Sequence, residues 1–420
     1  MKLRIYKLYT CLLLILPIIC SYDFLPIDML YVLGVVCAVA CYSWVRNANK
    51  ITISKAMLIY AFYVILSSVF PASQIAMIGV LRRLTGVIRF LIIFFCFFIG
   101  YKYLKQELLY KAYSWICVVV SVLIIVQYFA WFLGHSFTLI IPNVMINGTL
   151  SSNVYINNQM SNGRFSTFFL EPAHQAQYVL PCLALNIFLP YKNGEKINLT
   201  RVLLLSIGII ATTSMQGILG TLIIWTIYFM ILFGSRNPKR LMQVIGLIIL
   251  FVPILIYAYN RPIIQEQIYK KVSSFSANGI IQGTSSYLRL KVGWDCYGEL
   301  SVLHKLLGTG YMYTSSFLQV TGIGRLYYSS EFLVGYMNGL SKMMFDVGIV
   351  GTLLFFMSVF NEIKGKIDVV MVGLLVCVSI FLLTCDCYEQ LTLYLPLTII
   401  LNRAYSRNAF DNTNTSGQVM

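Results

Sequence analysis

A run of about 20 apolar residues is long enough to cross a bilayer as a helix, and this chain repeats such runs from end to end, with Lys and Arg gathered in alternate gaps. The runs fall near 5–21, 26–44, 52–70, 84–100, 112–133, 172–190, 201–215, 218–233, 241–259, 339–360, 367–384 and 389–402. The pattern predicts an all-α polytopic membrane protein of about 12 transmembrane helices, with 10 as the lower bound. The seventh and eighth runs are short enough to form one re-entrant pair around Thr213-Ser-Met-Gln-Gly217. Composition agrees: 59% of residues are hydrophobic and 11% charged, where globular domains carry about a quarter charged residues. Mean hydropathy is +0.78.

Orientation follows from the basic residues, which accumulate in cytoplasmic loops. With the N-terminus inside, the inner segments hold Lys2, Arg4 and Lys7; Arg46, Lys50 and Lys55; Lys102, Lys105 and Lys111; Lys192, Lys196 and Arg201; Arg236, Lys239 and Arg240; Lys364 and Lys366; and Arg403 and Arg407. The short outer connections at 22–25, 216–217 and 385–388 hold no Lys or Arg. N- and C-termini are therefore expected in the cytoplasm. The formal net charge of +16 belongs to this pattern, and with no basic run or recognition motif it does not point to nucleic acid. Two outer segments are long, about 134–171 and 260–338, and both are expected to contain short helices with functional roles. Residues 1–405 read as one integral membrane domain and 406–420 as a disordered cytoplasmic tail. The apolar run Leu8 to Cys20 follows three basic residues as in a signal peptide, but no small-residue cleavage site follows it, so it reads as an uncleaved first span. The 11 cysteines lie mostly in apolar runs, with no Cys-x-x-Cys pair and no metal-ligand spacing. Cys385 and Cys387, two apart near a helix end, leave a disulfide conceivable.

Against this apolar background the polar exceptions carry the chemistry. In Asn162-Gly-Arg-Phe-Ser-Thr-Phe-Phe-Leu-Glu-Pro-Ala-His-Gln-Ala-Gln-Tyr178 a polar loop turns into a helix. Pro172 suits the first helical position, which sets Glu171 at the positive end of the helix dipole. Glu171, His174, Gln175 and Tyr178 then share a face. Arg82, Arg83 and Arg89 sit on the outer side at the start of the fourth span, against the charge rule. They either snorkel to the interface or form an anion site. In the second long loop, Leu288, Val292, Cys296, Leu300, Leu303 and Leu307 recur at three and four residue steps. They predict one amphipathic helix capped by Ser285 or Ser286 and stopped at Gly308. Arg289 falls in its first turn, an unfavourable place for a cation, so either Asp295 or Glu299 pairs with it or an anionic ligand does. With Arg164, Arg325, His174 and His304, these arginines would collect on the outer side, where guanidinium forks suit phosphate oxygens. No metal cluster, serine elbow or nucleotide loop accompanies them. Reaction energy would therefore reside in the substrate: the arginines would stabilise a diphosphate leaving group while Glu171 or His174 takes a hydroxyl proton.

Three segments in order, Arg164-Phe-Ser-Thr-Phe-Phe-Leu-Glu-Pro172, the Arg289 segment ending in Leu307-Gly-Thr-Gly310, and Asn338-Gly-Leu-Ser-Lys-Met-Met-Phe-Asp-Val-Gly-Ile-Val-Gly351, resemble the O-antigen polymerase (Wzy) family. That family is related to the O-antigen ligases and more distantly to the SEDS polymerases. The resemblance spans the topology from end to end. It implies a GT-C-like or SEDS-like membrane glycosyltransferase of the bacterial inner membrane, needing no metal and no cofactor, with its active site facing the periplasm. It also implies the substrate, undecaprenyl-diphosphate-linked oligosaccharide, and possible company from a Wzz-like chain-length regulator. Glu171, Arg164, Arg289 and His174 become the candidate catalytic set; Arg82, Arg83, Arg89, Arg325, His304 and Asn338 the candidate diphosphate- and glycan-binding set. The chain departs from the ligases in carrying Met337-Asn338 where they have a His-Asn pair, and Gln175 rather than Gly stands eleven after Arg164. A ligase acting on lipid A core and a flippase remain as alternatives. A transporter should show paired halves with charges near the bilayer midplane; no internal repeat is evident here.

Overall fold

The computed structural model describes residues 2–19, 53–135, 163–169, 171–234, 284–324, 330–384 and 391–416, with scattered positions in 22–39, 137–139 and 265–280. The expected span at 241–259, most of that at 26–44, Arg325 and the Cys385/Cys387 pair lie outside the described residues. The protein is a helical membrane protein. Among the described residues four helices are long and apolar enough to cross a bilayer, Val80–Tyr103, Gln106–Phe132, Met215–Gly234 and Gly339–Ile363, and four shorter apolar helices join them. In chain order we number α1 (Lys2–Ile19), α2 (Lys55–Val69), α3 (Val80–Ile93), α4 (Gln106–Phe132), α5 (Pro172–Asn193), α6 (Leu199–Ala211) and α7 (Met215–Gly234). Then come α8 (Ser285–Leu290), α9 (Val292–Gly298), α10 (Val302–Leu307), α11 (Thr314–Thr321), α12 (Ser330–Tyr336), α13 (Gly339–Ile363), α14 (Val369–Thr384) and α15 (Leu391–Ser416).

Starts are set by side-chain caps: Ser54 accepts from the Met57 N–H, Asn198 from Arg201 and Asn338 from Ser341. After Ile93 the backbone of α3 widens into a π-helix over Phe94–Ile99 and tightens into a 3₁₀ turn over Gly100–Tyr103. Carbonyls there find side-chain donors. The Tyr9 hydroxyl donates to Cys96 O (2.7 Å), and the Asn402 amide donates to Tyr101 O (2.7 Å) and Leu104 O (2.9 Å). Irregular backbone at membrane depth survives only with such partners.

The hub is α5. From Pro172 to Phe188 nearly every residue is buried, and α4, α6, α7, α14 and α15 all pack on it. A helix buried all round belongs to the interior. Helices associate in lipid through close van der Waals contact and small residues, not through the hydrophobic effect. A Cβ on Gly217 would come within 2.7 Å of Ala176, and one on Gly373 within 2.4 Å of Phe188. At the Asn193 end, Asp368 accepts from Arg403 (2.7 Å), Lys192 (2.8 Å) and Arg407 (2.8 Å) and caps α14 at the Met371 N–H (2.9 Å).

Two expectations change. The last helix runs on to Ser416 instead of losing structure at 406, because Ser406 hydrogen-bonds Asn402 O and Arg407 reaches Lys366 O and Asp368. The single amphipathic helix of 285–307 is three, α8 to α10. Thr284, not Ser285 or Ser286, caps the first, and Ser301 opens a new one. The apolar stripe turns over there: Leu288, Val292, Cys296 and Leu300 are buried, Leu303 and Leu307 exposed. Gly308 does end α10.

Candidate active site

The loop before α5 is pinned from several sides. Gly163 sits at φ +65°, where a Cβ would strike Trp131 at 2.9 Å, and Phe165 packs edge-on against Trp131 and Tyr128. Thr167 holds a left-handed φ of 45°, rare for a β-branched residue. Its N–H donates to Gln127 Oε1 (3.2 Å) and its hydroxyl to Gln175 Oε1 (3.0 Å). Tyr22 adds a hydroxyl to Phe168 O (2.6 Å). The chain then enters α5 with Glu171 extended at the cap position and Pro172 first in the helix; the Glu171 side chain makes no cap bond.

What it faces comes from the second long segment. Glu171 Oε2 stands 3.9 Å from Arg289 Nη2, with about a third of each side chain exposed. At that distance the contact is Coulombic and not a hydrogen bond. The guanidinium also lies over the Tyr336 ring, 5.6 Å from its centroid. Asn338 fixes it from behind: fully buried, its amide donates to Arg289 O (3.2 Å) while its oxygen caps α13. His174, half-buried one turn into α5, lies within electrostatic reach of both Glu171 and Arg289.

Other candidates have different employments. Arg289 sits in the last turn of α8, where a cation suits the dipole, not the first. Neither expected acid claims it, for Asp295 takes Lys291 (3.0 Å) and the Tyr287 hydroxyl (2.6 Å). Arg83 clasps the turn before α3, donating to Val69 O (3.0 Å), Ile78 O (3.1 Å) and Ala76 O (2.5 Å). Arg82 is exposed and Arg89 half-buried on the same helix. His304 pairs with the Ser301 hydroxyl (2.9 Å) and stacks edge-on against Phe317. Gln175 and Tyr178 are buried in structural bonds, the latter donating to Leu14 O (2.8 Å). Arg164 is half-buried, with no hydrogen bond or ion pair among the described residues. Burial, then Glu299 and Asp295, push the Cys296 thiol up to about 12, which makes it inert. Among the described residues no His, Cys, Asp and Glu group is arranged to hold a metal.

One participant escaped the sequence reading, Tyr336 under the guanidinium, as did two buried polar residues one turn apart in α13, Lys342 and Asp346, the latter accepting from the Thr314 hydroxyl. The signal for the last two was legible, since Lys and Asp four apart in an apolar helix are costly unless placed for a purpose. The result is a helical membrane protein whose two long connecting segments meet at an arginine–carboxylate pair over the mouth of its central helix. No protein-family model matches the sequence, and no curated protein does.

Proposed function

We propose that the protein is an O-antigen (surface polysaccharide) polymerase of about 12 spans and GT-C-like architecture. It joins undecaprenyl-diphosphate-linked oligosaccharide units at the periplasmic face of the inner membrane, transferring the growing chain to a new lipid-linked unit. The supporting observation is the Glu171–Arg289 contact at 3.9 Å, which brings the two resembling segments onto one spot with His174 beside it. In the reaction the bond between the anomeric carbon and the diphosphate oxygen breaks, and a bond from that carbon to an acceptor hydroxyl oxygen forms. Glu171 or His174 takes the hydroxyl proton. Arg289, joined by Arg164, neutralises the charge that develops on the departing undecaprenyl diphosphate. About a third of each side chain of the pair is exposed, which lets substrate reach it.

The test is the lipopolysaccharide of a null strain. A single repeat unit on lipid A core is expected, because ligation persists without polymerisation. Loss of O-antigen including that first unit would replace this reading with a ligase or a flippase.

A further inference from the structure

The segment Val302–Gly310 lies inside the second long connection, expected wholly outside the membrane, yet its contacts lie deep along the spanning helix α13 and the shorter apolar helix α2. Leu307 O accepts from the Tyr63 hydroxyl (2.8 Å), which also reaches Val347 O (3.1 Å). The Thr309 N–H donates to Phe345 O (2.9 Å) and the Gly310 N–H to Asp346 O (3.0 Å). Gly308 and Gly348 cross so closely that a Cβ on Gly308 would stand 2.3 Å from Asp346 O. Gly348 itself breaks α13, with φ 67° and ψ −177°.

Helix rise converts these contacts to depth. Gly348 is fifteen residues from Ile363, or about 22 Å along α13, short of the roughly 30 Å a hydrocarbon core requires. Tyr63 is eight residues from Lys55, or about 12 Å along α2. Both helices therefore put Leu307 and Gly308 within the hydrocarbon layer. From there the chain climbs: Gly310 lies against Ser67 O, and the Tyr313 hydroxyl donates to Ser68 O (2.9 Å). At this depth Leu307 O and the N–H groups of Gly308, Thr309 and Gly310 all have partners, as a non-spanning segment in lipid requires. The side chains agree. Val302 is 74% exposed, Leu303 62%, Leu306 44% and Leu307 48%, in line with Phe62 on α2 at 64% and Leu353 on α13 at 56%. Lys305 turns its ammonium back to Gly298 O (2.7 Å), and His304 turns inward to Phe317.

We propose that Val302–Gly310 is a re-entrant element of the membrane domain, with Val302, Leu303, Leu306 and Leu307 against lipid acyl chains. The second long connection, which ends at α13, thus dips into the bilayer and returns, braced by the glycine crossing. The inference stands independently of the reaction proposed above.

A photo-crosslinking amino acid placed singly at Leu303 or Leu306 of the full chain in phospholipid vesicles tests it. Phe62 sets the yield of lipid adducts for a lipid-facing position and exposed Glu299 that for a water-facing one. Yields at 303 and 306 matching Phe62, and several-fold above Glu299, are expected. Yields matching Glu299 overturn the proposal. All four sites are exposed, so the substitutions leave the packed interior untouched.

Discussion

Arg289 makes three kinds of contact at once: Coulombic to Glu171, face-on to Tyr336, and through its carbonyl to the Asn338 amide. Each can be removed separately. Arg289→Lys keeps the charge but loses the planar fork. Polymer laddering should fall by about 100-fold, the scale on which one oriented donor matters to a developing anion, while the amount of protein in the membrane stays unchanged. Arg164→Lys is expected to behave alike. Glu171→Gln divides the roles within the pair: laddering equal to wild type would make Glu171 a partner for Arg289 and leave His174 as the base. Asn338→Asp keeps the cap acceptor but sets a buried carboxylate oxygen against Arg289 O, so laddering and melting temperature should both drop. Asn338→Ala loses the cap as well, about 1 kcal/mol, and should lower both. The sequence could flag Arg289 as a cation in want of a partner. It could not name Glu171, more than a hundred residues away, because the two approach only through tertiary packing.

At the scale of elements, apolar runs placed the described helices well and their interruptions poorly. The stripe from Leu288 to Leu307 reads as continuous, yet Ser301 caps a fresh helix and the exposed face rotates. Nor does an apolar run reveal that Gly348 breaks it, since the break exists to admit Gly308. Alanine at either glycine meets backbone within 2.3 Å at a positive φ. Strain of that kind costs about 1–3 kcal/mol, so Gly308→Ala and Gly348→Ala should each lower thermal stability in detergent by several degrees. The clasp formed by Arg83 predicts a similar loss for Arg83→Ala, through three carbonyls left without a donor. If Arg83 served substrate alone, its removal would weaken activity at unchanged melting temperature.

Across the whole molecule, one acid at the Asn193 end of α5 gathers three helices. Burial opposes the charge on Asp368, but hydrogen bonds from Arg403 and Lys192, with the Met371 N–H and the Arg403 charge, hold its carboxyl down at about 2 against an ordinary 3.8. A carboxyl depressed on folding contributes stability above its unfolded value and loses it as pH falls through the folded one. Stability of the purified protein should therefore carry a component of about 2 kcal/mol that disappears between about pH 4 and pH 2. Asp368→Asn should abolish that component and cost about 3 kcal/mol at neutral pH by stranding buried Arg403. By itself the sequence determined the solvent: apolar runs, basic gaps and scarce charges permit little but a helical membrane protein, because backbone and charge must be satisfied locally in lipid. It also marked Glu171, His174, Arg164 and Arg289 as polar residues out of place. The tertiary structure alone decided which of them meet, that α5 is the buried hub, that Arg83 braces a turn, and that Val302–Gly310 runs beside the spans. Those outcomes depend on contacts between residues far apart in the chain, and helical periodicity carries no information about partners at that range.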